Sequence, residues 1–270
     1  MFYKFAFFGT PEFAAIILKK LIEAGFKPGI IICNPDRPVG RKKIITPPPT
    51  KIIAGENGIK IYQPEKFDID EFKKEIGEID FAIVAAYAKI IPSGILNLPR
   101  LGTIGVHPSL LPKYRGPSPI QETILHDEKE TGITLFMVDE KIDHGPIVVK
   151  NNLKIEKNDN YQTLHDKLAL LGAELLIKTL PKIKNTVPEP QNEKEATFTK
   201  KIKTEDAFVD LEKDNPKIIW QKIKAFNPEP GVYAFQNGKR MKILEAGFVD
   251  GKIVLKRIQF AGEQPKTLNN

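Results

Sequence analysis

The stretch KFAFFGTPEFAAIILKKLIEAG, residues 4–25, joins a short apolar run to a longer segment through a glycine, a threonine and a proline. The run FAFF is typical of a buried strand. In the longer segment apolar side chains recur at helical spacing, at Phe13, Ile16, Ile17 and Leu21. Because a proline stands early in that segment and Gly25 ends it, the stretch predicts a strand, a tight turn and an amphipathic helix.

The first half of the chain repeats this order of elements. Further strand-length apolar runs occupy residues 28–33, 81–86 and 103–106, and polar or Gly/Pro loops and helical patterns lie between the runs. After residue 119 come a helical pattern and two β-rich runs. Residues 159–183 then show the spacing of an amphipathic helix of about six turns. Such alternation predicts a wound α/β sheet.

The composition changes between residues 185 and 199, where NTVPEPQNEKEATFT loses apolar periodicity and gains Pro, Glu and Lys. That change indicates an extended linker. Farther on, β-rich runs are separated by NGK and DGK, which are typical of hairpin turns. We therefore expect an α/β domain over 1–184, a linker over 185–202 and a small helix-plus-β module over 203–270.

Charge and cysteine content narrow the class of protein. Lys and Arg number 41 against 34 Asp and Glu, a formal net charge of +7 that attracts polyanions without proving that one is bound. Cys33 is the only cysteine, so no internal disulfide forms, and the four histidines, at 107, 126, 144 and 165, show no metal-ligand spacing. We expect a cytoplasmic monomer without a metal or a membrane segment.

Familiar nucleotide and hydrolase motifs are missing from the sequence. The turn GTPEFA lacks the spaced glycines that let a backbone approach a pyrophosphate, so it does not predict NAD binding. The sequence also holds no P-loop and no G-x-S-x-G motif.

A histidine and an aspartate are the first candidates for chemistry. His107 follows the apolar run 103–106, and Asp143 lies in KIDHGPIV between two later β-rich runs. If they meet, the carboxylate orients the imidazole and stabilises its charged form, which makes a general acid/base pair. The alternative is that His107 only caps a strand and Asp143 only closes a hairpin, and sequence separation leaves both open.

An apolar loop, SLLPKYRG at residues 109–116, follows the histidine. Prolines fix φ and remove backbone donors, so this loop can form a shaped apolar wall for a flat ligand at low entropic cost. A rigid connector is the alternative.

A basic loop, NPDRPVGRKKIITPPPTK at residues 34–51, carries the cations Arg37, Arg41, Lys42, Lys43 and Lys51. Prolines stiffen it and keep its charges away from the core, an arrangement suited to phosphate backbones. Most charge runs are only solvated surface, but long loops in compact domains are usually functional or disordered. We favour function for this loop.

Several motifs, in order along most of the chain, resemble those of methionyl-tRNA formyltransferases. They are FFGTPEFA (7–14), PDRPVGR (35–41), YQP (62–64), AAYAKIIP (85–92), HPSLLPKYRGPSPIQ (107–121), TGITLFMVDEKIDHGPI (131–147) and IKAFNPEPGVY (223–233). The HPSLLP and DHGPI parts also resemble glycinamide ribonucleotide and sugar N-formyltransferases. PDRPVGR and AFNPEPG separate the tRNA enzymes from both.

The resemblance implies a Rossmann-like formyltransferase domain followed by a small OB-like β-barrel. Its activity would move a formyl group from 10-formyltetrahydrofolate to the α-amine of initiator methionyl-tRNA, without a metal. As the amine attacks, negative charge grows on the formyl oxygen, which calls for a donor such as protonated His107, held by Asp143.

Site residues follow from the same resemblance, position by position. His107 and Asp143 would be catalytic. The folate site would include Ser109, Leu110, Leu111, Pro112, Tyr87, Ile90 and Asp139. The basic loop would contact tRNA through Arg37, Arg41, Lys42 and Lys43.

Two features depart from the family pattern. Gly105 stands where the family carries a catalytic asparagine, and losing one such donor costs about 10²- to 10³-fold in rate. The chain would then be an impaired enzyme, an enzyme with water or a neighbouring group in that place, or the product of a deliberate substitution.

Two other functions are also open: a sugar-nucleotide N-formyltransferase of the same fold, and a binding protein for folate or initiator tRNA without useful turnover.

The C-terminal module is the second departure, because it is shorter than the family's barrel. Its cations suit either a tRNA backbone or solubility. They are Lys217, Lys222, Lys224, Lys239, Arg240 and Lys242.

Overall fold

The computed structural model describes residues 3–40 and 42–268. Its strands are β1 (Phe5–Phe8), β2 (Ile30–Ile32), β3 (Arg37–Val39), β4 (Ile44–Thr46), β5 (Lys60–Tyr62), β6 (Phe81–Ala85), β7 (Thr103–His107), β8 (Glu130–Met137), β9 (Ile147–Lys154), β10 (Tyr233–Gln236), β11 (Lys239–Val249), β12 (Lys252–Phe260) and β13 (Lys266–Thr267). Its α-helices are α1 (Glu12–Glu23), α2 (Pro49–Glu56), α3 (Ile69–Ile76), α4 (Ser93–Leu96), α5 (Pro119–Leu125), α6 (Tyr161–Thr179) and α7 (Pro216–Phe226). Short 3-10 helices cover Leu180–Asn185, Glu193–Glu195 and Thr204–Ala207.

A seven-stranded sheet runs in the order β5-β2-β1-β6-β7-β8-β9. Strands β5, β2, β1, β6 and β7 are parallel to their neighbours, whereas β8 is antiparallel to β7. Strand order reverses at β1, which has β2 on one side and β6 on the other, as in doubly wound sheets. The predicted wound, Rossmann-like α/β class is confirmed.

The strand, turn and helix predicted for residues 4–25 are present as β1 and α1. Every residue of β1 is buried, as a strand inside a parallel sheet requires. Gly9 makes the tight turn between them, because a Cβ there would lie 2.6 Å from Cβ of Ala14 and 2.9 Å from the Ala85 carbonyl oxygen. At the other end, Gly25 adopts a φ of 85° and stops the helix as predicted.

The chain forms two compact units, and each draws on separate stretches of sequence. One comprises residues up to 115, 131–153 and 165–197. The other comprises residues 116–130, 154–164 and those from 198 onward. The domain boundaries given above stay a prediction.

The second unit contains a four-stranded antiparallel sheet in the order β10-β11-β12-β13. Both predicted hairpins are confirmed: Gln236 pairs with Lys239 around the NGK turn, and Val249 pairs with Lys252 around the DGK turn. An OB barrel is built from five strands. The described residues form four such strands, and the shortening of the module stays a prediction.

Residues 37–46, predicted as part of an open loop, instead contain an antiparallel hairpin. Val39 of β3 pairs with Ile44 of β4, and Arg37 pairs with Thr46. Pro38 lies within β3 and masks the strand in the sequence, because proline normally marks a loop or a strand edge. We call β3, β4 and the residues between them the basic hairpin. Arg41 lies outside the described residues.

Candidate active site

His107 ends β7 and is buried, with 7% of its side chain exposed. Its Nε2 lies 2.9 Å from the carbonyl oxygen of Tyr114, and its Nδ1 lies 3.5 Å from Oδ2 of Asp143. Because a carbonyl oxygen only accepts, Nε2 carries a hydrogen and donates it. The Nδ1 side of the ring therefore faces the carboxylate, and the structure brings the two predicted catalytic residues together.

Asp143 reaches His107 from the turn between β8 and β9, and 22% of its side chain is exposed. Its φ is 48°, in the left-handed region, which aspartate tolerates better than most residues. The 3.5 Å separation exceeds the roughly 2.7–2.9 Å of a strong charge-assisted hydrogen bond. The carboxylate beside Nδ1 is therefore partly exposed, whereas the imidazole itself is buried.

The Asp143 turn is held by a side chain that the sequence did not single out. Gln191 donates from Nε2 to the carbonyl oxygens of Asp143, at 2.9 Å, and Gly145, at 2.8 Å. A backbone pair between Ile147 and Glu189 lies next to these contacts. The stretch predicted as a linker therefore packs against the turn.

A buried arginine anchors that glutamine. Arg115 has 2% of its side chain exposed and donates from Nε and an Nη atom to Oε1 of Gln191, at 3.0 and 2.8 Å. It also donates to both carboxylate oxygens of Glu193, at 2.6 and 3.0 Å. This hydrogen bonding holds the pKa of Glu193 below its usual range. A buried charge with a bidentate partner fixes geometry well.

Asp139, predicted for the folate site, is bound within the same turn. Its Oδ2 lies 2.6 Å from Nδ1 of His144, and its Oδ1 accepts from the backbone N–H of Lys141 at 2.9 Å. His144 Nε2 lies 3.6 Å from Oε1 of Glu193. The structure thus places Asp139 as a partner of His144, which sequence reasoning had set aside.

Gly105 is covered by an aromatic ring. It pairs with Phe136 of β8, and a Cβ at position 105 would lie 2.5 Å from Cζ of that ring. Gly105 and His107 are two positions apart on β7, so both face the same side of the sheet. The Phe136 ring centroid is 6.5 Å from that of His107. The Phe136 ring therefore fills the space that a side chain at position 105 would occupy, and this ring carries no hydrogen-bond donor.

The loop after His107 is packed more tightly than an open wall would be. Ser109, Leu111 and Pro112 are buried, whereas Leu110 is half-buried. Ser109 donates through its hydroxyl to the Lys113 carbonyl oxygen at 2.6 Å. Among the four residues of this loop that were predicted to line the folate site, Leu110 keeps the most accessible side chain.

The other two predicted folate residues lie in different surroundings. Tyr87 packs against Phe8 and Phe67, with ring centroids 5.6 and 6.2 Å away. Burial raises the pKa of the Tyr87 hydroxyl, and over the described residues that hydroxyl has no hydrogen-bond partner. Ile90 has 93% of its surface exposed.

The basic hairpin exposes Arg37, Lys42 and Lys43 together with apolar side chains. Val39 is 58% exposed, and Ile44 and Ile45 are each 62% exposed. Its base is held by Asp36, which accepts from Lys51 at 2.8 Å and from Gln63 at 3.0 Å. These contacts, with Lys51 the largest, hold the pKa of Asp36 below its usual range.

Several cations of the second unit are engaged in internal contacts. Lys217 lies 3.0 Å from an Asp127 oxygen, and Lys222 donates to the Phe208 carbonyl oxygen at 2.8 Å. The Arg240 guanidinium stacks 3.7 Å from the Tyr233 ring centroid. Burial, above all, lowers the pKa of Lys224.

Neither a metal-holding cluster nor a membrane-spanning helix is found in the described part of the chain. No group of three or more His, Cys, Asp and Glu side chains within residues 3–40 and 42–268 is arranged to hold a metal ion. Across those same residues no helix has the length and apolar character needed to cross a membrane.

The chain is similar to known proteins in both sequence and structure. It matches the formyl transferase family over residues 3–180 and the formyl transferase C-terminal domain over residues 201–263. It is 44% identical over 253 residues to methionyl-tRNA formyltransferase of Staphylococcus epidermidis, covering 92% of this chain and 81% of that protein. Identity to the Staphylococcus aureus enzyme of that name is 41% over 251 residues, covering 92% and 80%.

Solved structures show the same fold at lower identity. Methionyl-tRNA formyltransferase from Clostridium thermocellum superimposes with a TM-score of 0.65 at 18% identity, covering 97% of this chain and 100% of the other. An N-formyltransferase from Helicobacter canadensis, solved with folinic acid and dTDP-3-aminofucose, gives a TM-score of 0.69 at 22% identity, covering 92% and 88%. At these identities the match concerns the fold.

Proposed function

The chain belongs to the methionyl-tRNA formyltransferase family, and on that premise we propose that its His107–Asp143 pair transfers the formyl group of 10-formyltetrahydrofolate to the α-amine of initiator methionyl-tRNA. The observation that carries this proposal is the 3.5 Å approach of the Asp143 carboxylate to Nδ1 of a buried histidine. Since Nε2 is already committed to the Tyr114 carbonyl, the working nitrogen is Nδ1.

Formyl transfer needs a hydrogen-bond donor to the formyl oxygen and a route for the proton that the amine releases. As the amine nitrogen bonds to the formyl carbon, the formyl oxygen gains negative charge and accepts a hydrogen bond from protonated Nδ1 of His107. The bond from that carbon to the folate nitrogen then breaks. The proton released by the amine ends on the departing folate nitrogen, and Asp143 stabilises the positive imidazole while this happens.

Gly105 makes the histidine more important in this scheme. A main-chain glycine beside a phenylalanine ring supplies no side-chain donor to the formyl oxygen. The remaining stabilisation then falls on His107. We expect catalysis to proceed, at a rate about 10²- to 10³-fold below that of a site with a second donor.

A folate-derived donor suits the residues around the pair. Leu110, three residues after His107, keeps a partly accessible apolar side chain. An apolar face of the donor's flat ring would cover it. Asp139 would act on the folate site through His144, which it contacts in the same turn.

The basic hairpin is the part proposed to meet the tRNA. Its exposed cations suit phosphates, and its exposed Val39, Ile44 and Ile45 suit the faces of bases at a strand end. In the second unit, Lys217, Lys222 and Arg240 are engaged in internal contacts. The monomeric state and the cytoplasmic location stay predictions from the sequence.

The test is a formyl-transfer assay on the full chain with 10-formyltetrahydrofolate as donor. Parallel reactions contain charged initiator methionyl-tRNA, the same tRNA uncharged, and a dTDP-linked amino sugar. We expect formylmethionyl-tRNA in the first reaction alone. Formylation of the amino sugar instead, or tRNA binding with no product at saturating donor, would overturn the proposal.

A further inference from the structure

Gln191 occupies an unusual place for a residue of a Pro- and Glu-rich stretch. It lies between a buried arginine and the turn that carries Asp143, 48 residues before it. Its amide makes four hydrogen bonds of 2.8 to 3.0 Å, two on each side. A side chain used so fully fixes the position of what it touches.

The direction of this amide follows from its partners. A guanidinium only donates, so the atom facing Arg115 must be the oxygen, and carbonyls only accept, so the atom facing Asp143 and Gly145 must be the nitrogen. The Arg115 guanidinium is itself held by the Glu193 carboxylate. A continuous chain of hydrogen bonds therefore runs from Glu193 through Arg115 and Gln191 to the turn.

The turn needs such support. Asp143 has a φ of 48°, a conformation that persists in a non-glycine residue only where its surroundings hold it. Gly145 is pressed against the Met137 carbonyl oxygen, where a Cβ would overlap. The two hydrogen bonds from Gln191 bind the carbonyl oxygens of Asp143 and Gly145, on either side of His144. These bonds therefore help to fix the backbone from which the Asp143 carboxylate approaches Nδ1 of His107.

We propose that Gln191 is a positioning residue for the formyl transfer, acting through Asp143. This inference rests on the proposed function, since it assumes that Asp143 holds the imidazole during the reaction. Gln191 itself touches no reacting atom. A misplacement of about 1 Å at a catalytic group costs up to roughly 10²-fold in rate.

Two variants separate this role from general support of the fold. Gln191→Glu keeps an acceptor for Arg115 and loses both donors to the turn, whereas Gln191→Met loses everything. We expect kcat to fall about 10- to 100-fold in both, with KM for methionyl-tRNA nearly unchanged. Both variants lose the two bonds to the turn and should unfold at a lower temperature than the parent chain, so kcat is compared at a temperature well below both unfolding transitions.

Asn192→Ala is the matched control. The Asn192 amide bonds within its own segment, to the backbone N–H of Lys194 and to Glu195. The Asn192→Ala variant should therefore leave kcat unchanged. A Gln191→Glu variant with the parent kcat would overturn the positioning role.

A double-mutant cycle with Asp143→Ala completes the experiment. If Gln191 acts through Asp143, adding Gln191→Glu to Asp143→Ala costs nothing more in kcat. Losses that simply multiply would overturn the inference and leave the proposed function standing. Full activity in Asp143→Ala alone would overturn the proposed function itself.

Discussion

Asp143 and Lys42 lie in two different loops of the same compact unit, between β8 and β9 and between β3 and β4. The two loops differ in the contacts that fix them. The Asp143 turn is held by two side-chain hydrogen bonds from Gln191 and by the backbone pair of Ile147 with Glu189. The basic hairpin that carries Lys42 is fixed mainly at its base, through Asp36, and exposes most of its apolar surface.

The difference follows from what each connection does in the proposed reaction. Bond making requires atoms held within a fraction of an ångström, so the catalytic turn is built into the packed unit. Contact with a long polyanion depends on charge that reaches outward, and it tolerates side-chain freedom. Substitutions in the turn should therefore change kcat, and substitutions in the hairpin should change KM.

The largest effect is expected from His107→Ala. Removing the imidazole takes away the donor to the formyl oxygen, and we expect kcat for formylation to fall about 10²- to 10⁴-fold. KM for methionyl-tRNA should change little, because only 7% of the His107 side chain is exposed for binding contacts. Steady-state kinetics with varied tRNA measure both quantities.

His126→Ala is the control for this variant, since 60% of the His126 side chain is exposed and it lies in the other compact unit. It should keep the parent kcat. A His107→Ala enzyme that loses affinity for tRNA at unchanged kcat would break the division between turn and hairpin.

The next effect concerns Gly105 and the ring that covers it. Gly105→Asn forces its Cβ into Phe136, and overpacking of this kind lowers the free energy of unfolding by about 1–3 kcal/mol. Phe136→Ala leaves a cavity and costs about 3–5 kcal/mol. The double variant should lose less than the sum, because the asparagine enters the space that the ring has left. Urea unfolding of the four proteins measures the coupling.

Gly55→Asn is the control, because a Cβ at position 55 of α2 meets no atom within 4 Å. The Gly55→Asn variant should leave the free energy of unfolding nearly unchanged, because asparagine is tolerated in a helix at least as well as glycine. Simple additivity in the Gly105 and Phe136 cycle would show that the two positions do not share one space. The single Gly105→Asn variant is thus a poor test of the missing amide, because the substitution also displaces Phe136.

Local patterns predicted the parts of the fold that local interactions determine. The β1, Gly9 and α1 unit follows from apolar spacing and two glycines, and the NGK and DGK turns follow from residues that tolerate positive φ. The basic hairpin was wrongly predicted as a loop. Its strands are short, and Pro38 interrupts the pattern that would reveal them.

The candidate site shows where sequence reasoning stops. The approach of Asp143 to His107 was one of two alternatives, because nothing local decides a contact across 36 residues. Nothing in the sequence singled out Gln191 or Phe136, since their importance comes from register and tertiary contacts. The motifs around His107 and Asp143 pointed to two residues that the structure brings together, while the contacts that hold the turn needed coordinates.

The basic hairpin supplies the third effect. Replacing Arg37, Lys42 and Lys43 by alanine should raise KM for methionyl-tRNA about tenfold at low salt while kcat is retained. For every phosphate that the variant no longer neutralises, the dependence of log KM on log salt concentration should also flatten by about one unit. The measurement is kcat and KM at a series of salt concentrations.

The control removes the same charge from exposed positions elsewhere in that unit, as Lys19→Ala, Lys73→Ala and Lys178→Ala together. This triple variant should keep the parent salt dependence. Equal effects of the two triple variants would mean that net charge, rather than the hairpin, attracts the tRNA.

The smallest effect compares two carboxylates, Glu193 beside the catalytic turn and Asp36 at the base of the hairpin. Contacts with Arg115 lower the pKa of Glu193 from 4.5, and contacts with Lys51 and Gln63 lower the pKa of Asp36 from 3.8. A lowered folded pKa adds stability above the unfolded pKa, and that stability is lost as pH falls through the folded pKa. Both groups therefore stabilise the fold at neutral pH and cease to do so in acid.

Glu193→Gln and Asp36→Asn should each lower the urea midpoint slightly at pH 7. As pH falls, the deficit should begin to shrink near the unfolded pKa, 4.5 for Glu193 and 3.8 for Asp36, and should vanish only below the lowered folded pKa of each group. Their kinetic effects should differ. Glu193→Gln loosens the support of Arg115 and Gln191 and should lower kcat, whereas Asp36→Asn loosens the hairpin base and should raise KM for tRNA. If both variants changed the same kinetic constant, the turn and the hairpin would not be separate devices, and the orientation of Asp143 would depend on the hairpin as well as on Gln191.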